Sequence, residues 1–221
     1  MMTETLPAAH LVTGLLFDMD GTLVDSTAVV ERTWRSFAAR HGIAAEQILA
    51  VSHGRRTEET VAAFAPQGVD IAAEARRVIA EEVDDTEGIV AIPGAARLLA
   101  GLSGDSWALV TSAGRRLAEA RMRAAGLPLP AVVISADDVT VGKPSPEGYL
   151  AAAKRLGVPP ESTIVFEDAE AGVRAALAAG AATVVVGTAD CPATEGLDRV
   201  PDLRGVRVGL DHAIGRLRVS Y

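Results

Sequence analysis

Short apolar runs, each closed by a polar or turn residue, recur along this chain between Ala- and Arg-rich stretches of helical length. The first, LLF at 15–17, is followed by WALVT at 107–111, VVIS at 132–135, TIVFE at 163–167 and TVVV at 183–186. Runs of this length, bounded by turn formers and rich in β-branched residues, predict buried strands. Between them, positions 114–125 place Leu117, Ala118, Met122 and Ala125 on one helical face. Ser145-Pro146-Glu147 predicts a helix start, with serine as cap and proline at the first helical position. Strands alternating with helices imply an α/β fold whose parallel sheet is covered on both sides.

One region departs from this rhythm. From Ala28 to about Ile92 the pattern offers no strand, only helical segments near 28–40, 46–52, 57–65 and 71–86, and Thr57-Glu58-Glu59 is a helix start. Pro93-Gly94 then punctuates the return to alternation. The expected organisation is an α/β core built from 1–27 and 93–221, with a small helical cap, 28–92, inserted after the first strand.

Composition narrows the function. Hydrophobic residues make up 49% of the 221 positions and aromatics only 4%, so Ala, Val and Leu must fill the core. A net charge of −8 excludes a general nucleic-acid binder, whose affinity rests on neutralising phosphates. A phosphorylated small molecule stays compatible, because a metal and a few local cations can hold it. The single cysteine, Cys191, excludes an internal disulfide and fits a reducing compartment. It precedes Pro192 in a polar stretch and reads as an incidental thiol. MMTETLPAAH lacks a cationic region followed by an apolar one, and the longest apolar stretch, around 175–186, is broken by Gly180 and too short to span a bilayer. The expectation is a soluble, cytoplasmic protein without a membrane partner, a monomer or weak dimer.

The candidate chemistry sits where the apolar runs end. LLFDMDGT delivers Asp18 and Asp20 into a glycine turn. Neighbouring strand side chains point to opposite faces, so acids one residue apart can share a cleft. Such a pair is ordinary turn chemistry unless something cationic joins it. Ligands of open α/β sheets bind at the carboxyl ends of the strands. Two other runs also end in reactive side chains, Thr111-Ser112 and Glu167-Asp168, and Gly142-Lys143-Pro144 holds a lysine in a proline-bounded loop. Four acids in one cleft ask for a divalent cation, Lys143 and a proton on Asp20, and oxygen ligands suit Mg²⁺ better than zinc. Neighbouring acids are expected to keep that proton on Asp20.

In that order, FDMDGTLVDS, VTS, GKPSPE and FEDAEAG resemble the four motifs of the haloacid dehalogenase-like hydrolases, over nearly the whole chain. SHGRRTEETV, ISADDVTVGKPSPEGYL and VFEDAEAG most resemble the sugar- and polyol-phosphate phosphatases of that superfamily, the glycerol-3-phosphate and 2-deoxyglucose-6-phosphate phosphatase group. The resemblance implies a Rossmann-like core and a Mg²⁺-dependent phosphatase acting on a small phosphorylated sugar or polyol. It implies Asp18 as the nucleophile that forms an aspartyl-phosphate, and Asp20 as acid and then base. Metal would be bound by Asp18, the backbone carbonyl of Asp20 and Asp168, with Glu167 acting through water or as a partner of the ligands. Thr111, Ser112 and Lys143 would hold the phosphoryl group.

Two other readings share these motifs. A β-phosphoglucomutase-like isomerase would need a histidine where this chain carries Val30 and an arginine where it carries Thr57. A non-catalytic phospho-ligand-binding member would have lost the nucleophile or a metal ligand, and neither is missing. His53, Gly54, Arg55, Arg56 and Thr57, in the cap, are the candidate specificity segment; Trp34, Trp107, His41 and His212 read as fold or surface residues. The departures from the phosphatase pattern (Ser145, Gly148 and Glu170) bear on substrate identity.

Overall fold

The computed structural model describes residues 9–221; the first eight positions, read above for a targeting signal, lie outside the described residues. Along the chain run β1 (Ala9–Val12), β2 (Gly14–Phe17), β3 (Val24–Asp25), α1 (Thr27–His41), α2 (Ala45–Ser52), α3 (Thr57–Phe64), α4 (Ile71–Asp84), β4 (Val90–Ala91) and α5 (Ala95–Ala100). Then come β5 (Trp107–Val110), α6 (Arg115–Ala124), β6 (Val132–Ile134), α7 (Glu147–Leu156), β7 (Thr163–Glu167), α8 (Glu170–Ala178), β8 (Ala182–Val186), β9 (Asp198–Val200), β10 (Arg207–Asp211) and β11 (Arg216–Ser220).

The main sheet has strand order β6-β5-β2-β7-β8-β9 and every pairing in it is parallel. The apolar runs of the sequence are β2, β5, β6, β7 and β8, nearly all of whose residues are buried, as internal parallel strands require. In this aromatic-poor chain three rings meet at the middle of the sheet. Phe17 stacks on Phe166 with ring centres 5.0 Å apart and meets Trp107 edge-on at 5.9 Å. That packing locks β2 between β5 and β7, whose ends carry the candidate chemistry.

Helices α1 to α4 follow the four expected segments and pack around an apolar cluster of their own, including Trp34, Phe37, Ile48, Val61 and Val78. The chain passes between these helices and the sheet at the short antiparallel pair β3–β4. β4 lies inside the stretch expected to hold no strand; two residues are too few to show any periodicity. A second departure is the antiparallel sheet β1-β11-β10. Its strands alternate, burying Val219 while Arg216 and Arg218 face out, so they do not form continuous apolar runs. A third is the start of α7. Pro146 occupies the cap position and Glu147 opens the helix, one residue later than expected. Among the described residues no helix is long and apolar enough to cross a membrane.

Candidate active site

β2 ends at Phe17, and Asp18 extends its pairing by donating its N–H to the Phe166 carbonyl at 3.0 Å. The chain then turns tightly around the Met19 carbonyl, which accepts N–H groups from Leu23 and Val24 at 2.8 and 2.9 Å. Gly21 makes the turn with φ +88°, and a Cβ there would stand 1.9 Å from Asp168 Oδ2. Glycine is therefore required twice, for its backbone angle and for the approach of the end of β7.

Beneath the turn lies a buried charge cluster. Lys143 Nζ donates to Asp18 Oδ1 in a very short contact and to Glu167 Oε1 at 2.6 Å. Tyr149 donates its hydroxyl to the same Glu167 oxygen at 3.2 Å, and Glu167 Oε2 accepts the N–H groups of Asp168 and Ala169 at 2.8 and 2.9 Å. Gly172 makes room for this carboxylate, since a Cβ there would fall 1.5 Å from Oε1. Burial, reinforced by Glu167 and Asp168, pushes the Asp18 carboxyl well up against the pull of Lys143. Burial works against the Lys143 charge too, but Asp18 and Glu167 outweigh it and hold the ammonium well above its ordinary range. Asp18, Glu167 and Asp168 each place a carboxylate oxygen within 4.8 Å of the others. One lysine among three close acids leaves negative charge over, and that oxygen set fits a hard divalent cation.

Asp20 has a different neighbourhood. Ser26 donates its hydroxyl to Asp20 Oδ1 at 2.6 Å, and Arg121 Nη1 donates to Oδ2 at 2.8 Å. The same guanidinium reaches Glu82 Oε1 on α4 through Nη2, also at 2.8 Å. To the acids expected around Asp20 the structure adds a buried arginine, which α6 brings against it. The signal for this pair was present. Arg121 falls four residues after Leu117 and three after Ala118, and Glu82 falls four after Val78 and seven after Ala75. Opposite charges on two apolar helical stripes need each other when buried.

The cap supplies the roof. His53 Nε2 lies 2.6 Å from Asp168 Oδ2, a hydrogen bond that raises the imidazole to about 9 despite partial burial. The Gly54 carbonyl accepts the Ser112 hydroxyl at 2.9 Å. Thr111 Oγ1 accepts the Ala113 N–H at 3.0 Å, which fixes the backbone after β5. A cleft of ≈ 180 Å³ opens between roof and floor, lined by Asp18, Asp20, Thr111, Ser112, Arg121 and Glu82 among others. His53, Gly54, Arg55 and Thr57 line it as well. Arg56 lies against the core loop, its guanidinium donating to the Val139 and Thr140 carbonyls at 2.8 and 3.3 Å. Trp34, read as a fold residue, packs in the cap cluster and also forms an apolar wall of the cleft with Val30 and Leu49.

Known proteins resemble this chain over most of its length. Residues 12–180 match the family model of the haloacid dehalogenase-like hydrolases. Hexitol phosphatase A of Escherichia coli is 46% identical over 192 residues, covering 85% of this chain and 89% of its own length. Glycerol-1-phosphate phosphohydrolase 2 of Saccharomyces cerevisiae is 36% identical over 202 residues, with coverages of 85% and 80%. A mutant of CbbY from Rhodobacter sphaeroides, solved in complex with xylulose-(1,5)bisphosphate, matches with a TM-score of 0.74 at 27% identity, over 87% of this chain and 95% of that one.

Proposed function

Since the chain belongs to the haloacid dehalogenase-like hydrolases and is a phosphatase, we propose that it hydrolyses the phosphate ester of a small sugar or polyol through an aspartyl-phosphate on Asp18. The observation that carries this reading is the division between the two aspartates: Asp18 sits on Lys143 in the floor, while Asp20 faces the cleft from Ser26 and Arg121.

An oxygen of Asp18 attacks phosphorus, and the alcohol leaves with a proton from Asp20. Water then attacks the acyl phosphate and gives a proton to Asp20, releasing phosphate and restoring Asp18. Splitting the reaction in two lowers each barrier. Lys143 and the backbone at Thr111 and Ser112 hold the phosphoryl oxygens, where electrostatic stabilisation must do most of the catalytic work. Asp18, the Asp20 carbonyl and Asp168 would bind Mg²⁺. Glu167, already committed to Lys143 and two N–H groups, would act on the metal through water. When bound, the cation offsets phosphoryl charge and favours the ionised nucleophile. The cap excludes water and offers its polar groups to the alcohol. Relatives named for hexitol and glycerol-1-phosphate hydrolysis support the polyol class.

The test is phosphate release from a panel of sugar and polyol phosphates, with and without EDTA. Asp18→Asn should lower turnover by roughly 10³-fold or more, and EDTA should stop it. Retained activity in either case would overturn the mechanism. Isomerisation of β-glucose 1-phosphate to glucose 6-phosphate without phosphate release would replace it with the mutase reading.

A further inference from the structure

Resting on the polyol-phosphate reading above, we propose that Glu82 is a specificity-determining residue: its carboxylate accepts hydrogen bonds from hydroxyls of the leaving alcohol. The cap's helical wall then reads the substrate alongside the 53–57 segment.

Geometry comes first. Glu82 is 3% exposed and lines the cleft from α4. Arg121 grips it with one nitrogen and Asp20 with the other, both at 2.8 Å. A single guanidinium therefore sets the spacing between the group that protonates the ester oxygen and Glu82. An alcohol whose ester oxygen meets Asp20 has its next carbons within reach of Glu82. Val30, Trp34 and Leu49 line the same cleft and offer apolar surface to the C–H groups of the same chain. Carboxylate and hydrocarbon in one cleft match a molecule with hydroxyls and C–H groups along its length.

Energetics point the same way. Replacing a buried ion pair by apolar residues of similar volume is often neutral or stabilising. The stripe formed by Ala75 and Val78 could continue as an aliphatic residue if Glu82 served packing alone. Thr57, on the cap segment, lines the same cleft. A site built to hydrogen-bond a hydroxyl discriminates strongly against an alcohol lacking it, because its buried polar groups are then left unpaired.

The experiment compares kcat/KM for a hexitol 6-phosphate with that for n-hexyl phosphate, whose leaving alcohol needs the same protonation by Asp20 and carries no hydroxyl beyond the ester oxygen. Glu82→Gln keeps the shape and removes the charge; the ratio of the two values should fall roughly 10- to 100-fold, mainly through KM for the hexitol ester. A ratio within twofold of wild type overturns the proposal, since a structural role lowers both substrates together. If Glu82→Gln does not fold, Glu82→Asp, which withdraws the carboxylate by one methylene, is read by the same ratio and the same criterion. Wild-type protein with no preference for the hexitol ester would instead remove the polyol reading itself.

Discussion

The floor and the roof of the cleft are built to different standards. In the floor, Glu167 is fully buried and its carboxylate takes four hydrogen bonds, from Lys143, Tyr149 and two backbone N–H groups. In the 53–57 segment of the roof, the half-exposed His53 touches the core through one contact, Gly54 through one and Arg56 through two carbonyls. The floor is over-determined and this segment is lightly fastened, the buried Glu82–Arg121 pair being the cap's firmer tie. Groups that must meet a reacting phosphorus within tenths of an ångström belong on buried strand ends. Groups that admit and sort an alcohol belong on an element able to lift away.

Lys143→Met gives the sharpest break. Removing one partner of a buried ion cluster should cost about 3–5 kcal/mol in urea unfolding, together with nearly all phosphatase activity. A loss under about 1 kcal/mol would put the floor on a level with surface ion pairs.

A smaller effect is expected at Asp138, which braces the loop that carries Lys143. It accepts the N–H and hydroxyl of Ser135 at 2.9 and 2.8 Å and Arg155 Nη2 at 2.8 Å. Burial works against its charge, but those bonds hold the carboxyl well below its ordinary value of 3.8. A depressed carboxylate contributes stability above its unfolded pKa and loses it as pH falls through the folded one. Asp138→Asn should therefore be about 1–2 kcal/mol less stable at pH 7, and its stability should fall less steeply than wild type below about pH 4. Parallel curves would show that the floor does not depend on this brace.

Smallest is the roof. Arg56→Ala removes two hydrogen bonds to carbonyls and should cost about 1 kcal/mol of stability, with a rise in KM and little change in kcat for the preferred ester. A fall in kcat equal to that of a floor variant would erase the distinction between the two regions.

The same contrast explains what could be read from the chain. Strands buried on both faces announce themselves as unbroken apolar runs, so β2, β5, β6, β7 and β8 and the acids, threonine and lysine at the ends of that sheet were legible. The β10–β11 hairpin was not, although Arg216-Leu217-Arg218-Val219 carries the period-two pattern of a half-buried antiparallel strand. Alternation with arginine looks like solvent-exposed chain, whereas continuous apolar runs do not. Glu82 and Arg121 escaped for the converse reason. Each lies in register with an apolar helical stripe, but only the packing of α4 near α6 shows that the two charges meet. Tyr149 reads as core, and its hydroxyl on Glu167 becomes visible only once α7 lies over the sheet.

Gly21 sets a tolerance for the whole enzyme. A Cβ on Gly21 would stand 1.9 Å from Asp168 Oδ2, so the approach of the two aspartate-bearing strand ends is gauged by the smallest side chain available. A methyl group at this position would act as a wedge: the turn could keep Asp20 in place or Asp168 within reach of Asp18, but not both. The spacing of the acids proposed to hold the cation is thus written in the backbone, at a residue that contributes no chemistry of its own.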